Sequence, residues 1–550
     1  MTMEDPKDFK SAIQRSDAIE WMKACTAEYK SHQKNISFGP ILNQVPHGYT
    51  AIPSALIFKT KRCGKKKARL VVRGYRMEPG RDYNETFAPV AKLTTLRLLL
   101  ALATKYDFEI KQGDVATAYI TTDIDTTIYV RLPDGFQDHT ESISKLQQPG
   151  CQFDPYSVYN KQKKKHAVYA KALKCVNGIP QGPHLFNTKT HGIFQEAGLQ
   201  RLQDDHSVYY LPNSKVYLAI WVDDIFLFYD KTNVKQATSL WQHLTKHLDL
   251  GEWQDIHDCL GCTVVRDRPN RVLKLSQTQA ILNLLKKLNM TECSPMDTPV
   301  TPGFVFTKDD SPKTDLDKSA FKTEATWYRS VLASLIYFCS WTRPDLAYAQ
   351  SKLSKFMQNP GPKHVQALKR ALRYLKKTND KGLVYDFSKY PPRKGIYGYY
   401  DASYADDVDT RSTLAYVFFY EGCPISWNSK LHSYVTTSTN HSEYCAAAKA
   451  AKEAKFIEKI TLALGMNYAV RPIHLFSDSQ GAIAMSYNPV KREASKHVDL
   501  ADHYAREQVE RGTITISYIP TKEMTADLLT KALPRASFLY HSMQLITNVS

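Results

Sequence analysis

No apolar run in this chain approaches the roughly 20 residues that a membrane-spanning helix needs. The nearest, Val216 to Tyr229, is interrupted by Asp223 and Asp224, so no membrane span is expected. Cysteine is scarce: 10 in 550 residues, scattered without paired spacing. That argues against a disulfide framework and for a reducing compartment. The opening Met1-Thr2-Met3-Glu4-Asp5 is acidic and polar, unlike a secretory leader. The glycan-acceptor pattern Asn548-Val549-Ser550 is discounted with it. No internal repeat is visible. Acidic residues are in deficit, 55 Asp plus Glu against 73 Lys plus Arg, for a formal charge of +18. Such a surplus favours a polyanionic partner whose grip weakens with salt. A basic patch would also suit anionic lipid, and a solvated basic surface without a partner is the plainer reading.

What is present is the composition of a folded protein: 43% hydrophobic and 11% aromatic residues, with 33 Tyr. Wholesale disorder is excluded, and 550 residues call for two to four domains. Residues 1–50 read as a flank, helical and then loop-like towards Asn43–Gly48. Strand-like Ala55–Phe58 and Ala68–Val72, then a Leu-rich helix, begin a unit running over 51–290. The polar stretch 137–168, with Pro149-Gly150 and the run Lys161–Lys165, reads as a surface insertion. Residues 291–318, rich in Pro, Thr and Asp, look like a linker, and helices continue to 394. In His364–Lys377, Val365, Leu368, Leu372 and Leu375 fall on one stripe, with Lys369, Arg370, Arg373, Lys376 and Lys377 largely elsewhere. A solvated basic face is the default there; a nucleic-acid track needs support from elsewhere. A strand-rich unit occupies 395–537, and 538–550 reads as a tail. The fold class is α+β and α/β, multidomain.

Two groups of carboxylates carry chemistry. Val216–Tyr229 reads as a β-hairpin with Asp223 and Asp224 at its tip, where two like charges in a strand setting are costly unless a cation neutralises them. Asp114 ends another strand-like segment, Ile110–Asp114. Three carboxylates on neighbouring strands suit two Mg²⁺, which prefer oxygen ligands, and such a pair supports nucleotidyl transfer. An isolated Asp-Asp pair is more often a polar turn; the apolar flanks and Asp114 weigh against that here.

Asp114-Val115-Ala116-Thr117-Ala118-Tyr119 and Val222-Asp223-Asp224 resemble motifs of reverse transcriptases from copia-type LTR retrotransposons. Lys67-Ala68-Arg69-Leu70-Val71, Asp82–Val90, Tyr328-Arg329-Ser330 and Thr342-Arg343-Pro344-Asp345 are similar to further blocks of that family, in its order, over about residues 10–535. The resemblance implies a right-hand polymerase over 51–290, a linker and thumb or connection over 291–394, and a ribonuclease H-like domain over 395–537. It implies metal ligation by Asp114, Asp223 and Asp224 with the Val115 carbonyl beside them. It makes Tyr119 a gate against the ribose 2′-hydroxyl, Lys67 and Arg69 the grip on a triphosphate, and Gln181 a contact to nucleotide or template. Pro180–Phe186 departs from the family, being closer to the Pro-Gln-Gly of retroviral enzymes, which leaves Gln181 and His184 less firmly assigned. Trp221 stands where Tyr is common, and is expected to pack on the primer strand or the palm.

In the C-terminal unit Asp401 ends a strand, Glu443 opens a helix, Asp478 ends another strand and Asp527 opens a last helix. Each alone is an ordinary cap. Together, in a strand, hairpin, helix, strand, helix, strand, helix pattern, they are similar to the Asp-Glu-Asp-Asp set of ribonuclease H, which binds two Mg²⁺ and depends on the RNA 2′-hydroxyl. His497, in Ser495–Asp499, lies in a block that family also shows; a substrate-side role and a packed or surface histidine are both open. His243-x-x-x-His247 with Cys259-x-x-Cys262 has zinc-like spacing, with buried small apolar cysteines as the favoured alternative.

The expected function is an RNA-directed DNA polymerase with fused ribonuclease H. Its partners are RNA template, DNA primer, RNA–DNA hybrid and dNTPs, and its ions Mg²⁺, or Mn²⁺ in its place. It is expected in the cytoplasm within a virus-like particle, or in the nucleus, alone or in oligomers with other Pol products. In that family the segment lies in a larger polyprotein, whose capsid, protease and integrase parts are absent from this sequence. The alternatives are an inactive retained element that binds nucleic acid or acts structurally, and a chain that keeps only the nuclease.

Overall fold

The computed structural model describes residues 4–61, 64–146, 167–466, 471–488 and 503–549; His497 and most of the polar stretch 137–168 lie outside them. The architecture is mixed α/β, with four sheets.

The first sheet runs Phe38–Leu42, Tyr169–Ala172, Tyr129–Arg131, β1 (Ala51–Thr60) and β2 (Lys66–Val72). Helix α1 (Ala18–Lys34) lies against it. Trp21, Met22 and Cys25 recur at one-turn spacing and bury one face of α1. They meet Leu56, Phe58, Leu70 and Val72 in a separate core. Residues 4–50 are therefore built into this unit, and Phe38–Leu42 is a strand where the sequence pattern predicts a loop.

The second sheet explains the apolar run of the sequence. Helix α2 (Leu93–Lys105) covers one face, while α3 (Gly182–Glu196) and α4 (Val234–His247) cover the other. Strand β3 (Glu109–Asp114) pairs with β5 (Asp224–Tyr229), and β5 with β4 (Val216–Trp221), all antiparallel. Side chains alternate between faces. Val216, Leu218, Ile220, Ile225 and Leu227 go into the core under α3 and α4, while Tyr217, Ala219, Phe226 and Phe228 go under α2. With both faces buried, no polar residue interrupts the pattern until the hairpin tip.

A third sheet, from Asp258–Cys259 to Thr547–Asn548, carries α5 (Lys322–Trp341) and α6 (Pro362–Lys377). The 291–298 segment is tied down by the basic residues of α6. Arg370 reaches the Thr298 hydroxyl at 2.9 Å, Arg373 the Ser294 carbonyl at 2.5 Å and Lys376 the Cys293 carbonyl at 2.8 Å, and Lys377 pairs with Asp297. Neither a bare solvated face nor a nucleic-acid track describes these four. Residues 538–549 are likewise integrated, since Thr547 and Asn548 pair with Gly382 and Lys381.

The fourth sheet has the order β8-β7-β6-β9-β10: β6 (Ile396–Ser403), β7 (Thr413–Tyr420), β8 (Cys423–Leu431), β9 (Ile473–Ser477) and β10 (Ile514–Tyr518). The first three are antiparallel; β6, β9 and β10 are parallel neighbours. The Ala-rich helix α7 (Thr439–Ala463) packs closely on β6 and β7. One continuous core joins α2, the third sheet and this unit. Buried Arg97 of α2 donates to the carbonyls of Trp341 (3.2 Å), Ile425 (3.0 Å) and Ser340, and stacks 3.7 Å from the Trp427 ring.

Two candidate carboxylate sites

Asp114 and Asp224 are register partners on β3 and β5, and Asp224 also faces Trp221 across the hairpin. Asp223 sits in the two-residue turn between β4 and β5, and its carbonyl accepts the Val115 amide at 2.9 Å. The sheet thus places all three acids and Val115 at one strand end. The turn is strained, because Val222 has φ 58°, a left-handed conformation that a β-branched side chain rarely adopts. Burial first, then Asp223 and Asp114, push the Asp224 carboxyl up to about 7. Asp114 is raised as well: the residue is exposed, but its carboxyl is partly desolvated at the cavity, and that comes ahead of Asp223. Three mutually repelling carboxylates at one edge have the oxygen donors that a divalent cation prefers, and their side chains, not within 4.8 Å of one another as they stand, would draw together around it.

A cavity beside them is lined by Lys67, Arg69, Val115, Tyr119, Asn177 and Asp223, among others. Lys67 and Arg69 reach it from β2 across the first sheet. Burial and the neighbouring Arg69 lower the Lys67 ammonium, which places a partly desolvated Lys67 and an exposed Arg69 at the cavity shared with the acids. The Tyr119 ring packs edge-on against Phe186 at 6.0 Å. Glu28 and Ser31 of α1 also line this cavity, a contribution from the N-terminal region that no local pattern announces. Asn177 is positioned by a close backbone approach: Val72 donates to its carbonyl at 2.8 Å, and Gly178 follows at φ 91°.

Gln181 is a correction. The departure of its block from the family pattern has a structural counterpart: its side chain is fully buried and donates to the Asp82 carbonyl at 3.2 Å and Thr126 at 3.0 Å. It braces the Asp82 loop instead of facing the cavity. His184 binds the Phe87 carbonyl at 2.8 Å. Trp221 is half-buried against the core under α2.

In the fourth sheet, Asp401 on β6, Asp478 just after β9, and Asp527 at the start of α9 (Asp527–Thr530; the intervening α8 is Gln480–Tyr487) bring carboxylate oxygens within 4.8 Å of one another. Glu443, in the first turns of α7, accepts the Ala402 amide at 3.3 Å through Oε1, while its buried Oε2 has no hydrogen-bond partner. An orphaned buried carboxylate oxygen beside three more carboxylates fits an oxygen-liganded divalent cation. Burial, then Asp401 and Asp478, push Glu443 up to about 10; burial, then Asp401, push Asp527 to about 7. Two further residues enter this site. Thr530 donates its hydroxyl to Asp401, and Lys531 pairs with Asp527 at 2.8 Å. Lys531 stands four residues after Asp527, a helical spacing readable in the sequence.

Cys259 and Cys262 face each other across a strand pair, buried in the core under α2, and burial raises both thiols. Among the described residues they join no metal-competent cluster with His243 and His247.

Residues 41–159 and 151–302 match the family model "Reverse transcriptase (RNA-dependent DNA polymerase)". A reverse transcriptase domain is thus the class that residues 41–302 match. Over most of its length the chain is a homologue of the Pol polyproteins of copia-type retrotransposons. It is 32% identical over 97% of its length to the retrovirus-related Pol polyprotein from transposon TNT 1-94 of Nicotiana tabacum. It is 30% identical over 96% to that from transposon RE1 of Arabidopsis thaliana. The Transposon Ty1-GR2 Gag-Pol polyprotein of Saccharomyces cerevisiae is 24% identical over 90%. The chain spans 38%, 34% and 27% of these relatives. Among solved structures, RNase H1 of the halophilic archaeon Halobacterium salinarum NRC-1 is similar, at 15% identity and TM-score 0.18, over 24% of this chain and 93% of its own. No helix among the described residues is long and apolar enough to cross a membrane.

Proposed function

We propose that the chain is an RNA-directed DNA polymerase with a second, ribonuclease H site, copying retrotransposon RNA into DNA and degrading the RNA of the resulting hybrid. The observation that supports this reading is that acids from distant parts of the chain meet at two places: Asp114 with Asp223 and Asp224 at one strand end, and Asp401 with Asp478 and Asp527, whose oxygens lie within 4.8 Å of one another beside Glu443, each group holding carboxyls that desolvation and mutual repulsion push upward. In this reading the first sheet acts as fingers, the second as palm, the third with its helices as thumb and connection, and the fourth as the nuclease.

At the palm, Asp114, Asp223 and Asp224, with the Val115 carbonyl, would hold Mg²⁺. At the nuclease, Asp401, Glu443, Asp478 and Asp527 would do so. Divalent ions supply charge neutralisation of the attacking and leaving oxygens at both sites. The chain's own residues do the remaining work. Lys67 and Arg69 draw the triphosphate of a dNTP into the cavity by charge. Tyr119 fills the space that a ribose 2′-hydroxyl would need, rejecting ribonucleotides by a clash. The strained Val222-Asp223 turn fixes the acids before substrate arrives, so that no reorganisation is left for the reaction. In the nuclease, Thr530 and Lys531 hold Asp401 and Asp527 in place.

Asp223→Asn should abolish dNTP incorporation on poly(rA)/oligo(dT) and spare RNA cleavage in a hybrid; Asp478→Asn should do the reverse. Loss of both activities in either variant, or of neither, removes the two-site reading. A native chain that binds hybrid tightly but does neither reaction favours a retained, inactive element.

A further inference from the structure

Away from both carboxylate groups, Glu196 closes α3, while His243 and His247 lie one turn apart near the end of α4. We propose that these three side chains form a transition-metal site of the zinc class, clamping α3 to α4 over the second sheet. Each offers a ligand atom, and the three atoms lie within 4.8 Å of one another. The two imidazole rings stand 4.6 Å apart at 32°, the geometry that i,i+4 histidines on a helix give. Two histidines on one helix are common on surfaces; a carboxylate delivered to them by a second helix is not a consequence of helical spacing. An independent observation points the same way. Nε2 of His243 is shielded from water and has no hydrogen-bond partner, a costly state for a polar nitrogen that a bound cation relieves.

The donor set selects the metal. Two imidazoles and one carboxylate suit Zn²⁺ and its neighbours, whereas Mg²⁺ prefers oxygen-only cages. Three protein ligands leave a fourth position for water, and an open cavity lined by Glu196, Leu211, Lys235, Gln236, Ser239 and His243 gives access to it. The site also has mechanical reach. Directly beyond His247, the Asp249 carbonyl accepts the Ala116 amide at 2.9 Å, and the Gly251 amide donates to the Asp114 carbonyl at 3.2 Å. A clamp on the end of α4 therefore steadies the segment that backs Asp114.

Zn²⁺ titrated into the full chain in saturating Mg²⁺, followed calorimetrically and by Co²⁺ visible absorption, tests this. One equivalent should bind and raise the Tm. His243→Ala, His247→Ala and Glu196→Gln should each weaken that equivalent tenfold or more and remove the Co²⁺ band, and the Glu196→Gln and His247→Ala chains should keep metal-free Tm values within about 2 °C of wild type, since Glu196 and His247 are exposed. The proposal is overturned if wild type binds no Zn²⁺ under saturating Mg²⁺, or if the Glu196→Gln and His247→Ala chains bind it as wild type does.

Discussion

The two carboxylate groups contrast in how they meet solvent. At the hairpin tip, Asp114 is exposed and Asp223 and Asp224 are half-buried, next to an open cavity whose far wall belongs to another sheet. In the C-terminal unit, Asp401, Glu443 and Asp527 are 2–5% exposed and are ringed by Thr530, Lys531 and the Ala402 amide. The open group needs pieces from the N-terminal helix, the first sheet and the second; the buried group is built inside one sheet and its own helices, with Asp478 left half-exposed at its mouth. A site open on one side can admit a nucleotide between two walls that have separate cores. Acids buried together accumulate electrostatic tension, visible in Glu443 being pushed to about 10.

The largest expected effect comes from the residue that joins the units of the two groups. Arg97→Met leaves the buried carbonyls of Trp341 and Ile425 unpaired and should cost at least about 3 kcal/mol of stability. If the shared core makes them one folding unit, dNTP incorporation and hybrid cleavage fall together along the same thermal transition. Separate transitions would show that the contrast extends to folding.

Next is Gly178, which holds the open site's two walls together. A Cβ there would lie 2.1 Å from the Val72 carbonyl, on a backbone at φ 91°. Gly178→Ala should cost about 2 kcal/mol and raise the KM for dNTP at least tenfold, with hybrid cleavage unchanged below the new Tm. Equal loss of both activities would mean that the walls are not independent of the nuclease.

The pH dependence separates the groups by sign and window. Glu443 is raised from 4.5 to about 10, and Asp224 from 3.8 to about 7. Between its unfolded and folded values each carboxyl keeps its proton in the folded state and loses it in the unfolded chain. Stability of the metal-free protein therefore falls as pH rises through those windows. Asp224 contributes only up to about 7; from there to about pH 8.5, where buried thiols begin to add their own slope, the fall belongs chiefly to Glu443. Glu443→Gln should flatten the Tm profile in that window, Asp224→Asn only below it, and Mg²⁺ should restore most of the stability lost there.

The same contrast governs what was legible in the sequence. Strands buried on both faces print as apolar runs, so the hairpin and its acids stand out at Val216–Tyr229; in the fourth sheet Asp478 follows a strand and Asp527 opens a helix as their patterns suggest, whereas β6 runs two residues past Asp401 and α7 begins four residues before Glu443. Contributions that depend on packing between units leave no local trace. Glu28 looks like any helical surface acid, yet its carboxylate accepts the Leu70 amide at 2.8 Å behind the cavity. Gln181 lies in a motif-like block, but its orientation is decided by the Asp82 carbonyl 99 residues away in the chain. The basic stripe of α6 carries the pattern of a nucleic-acid track until the 291–298 segment is seen lying across it. The zinc-like spacing paired His243 and His247 with two cysteines that a different core holds, because spacing along the chain does not say which helix end comes nearest.

The smallest expected effect on stability falls on Tyr119, where the change is in selection and not in folding. Its ring leans on Phe186 and lines the cavity shared with Asp223 and Arg69, so Tyr119→Ala opens space without removing charge. Incorporation of dNTP should fall only a few-fold, while discrimination against rNTP, measured as the ratio of kcat/KM values, should drop about ten- to a hundred-fold, the size that loss of a steric block allows. Tyr119→Phe keeps the ring and should keep the discrimination. If Phe loses it as Ala does, the hydroxyl and not the ring is the selecting group, and the open site reads its substrate by hydrogen bonding, with no dependence on its shape.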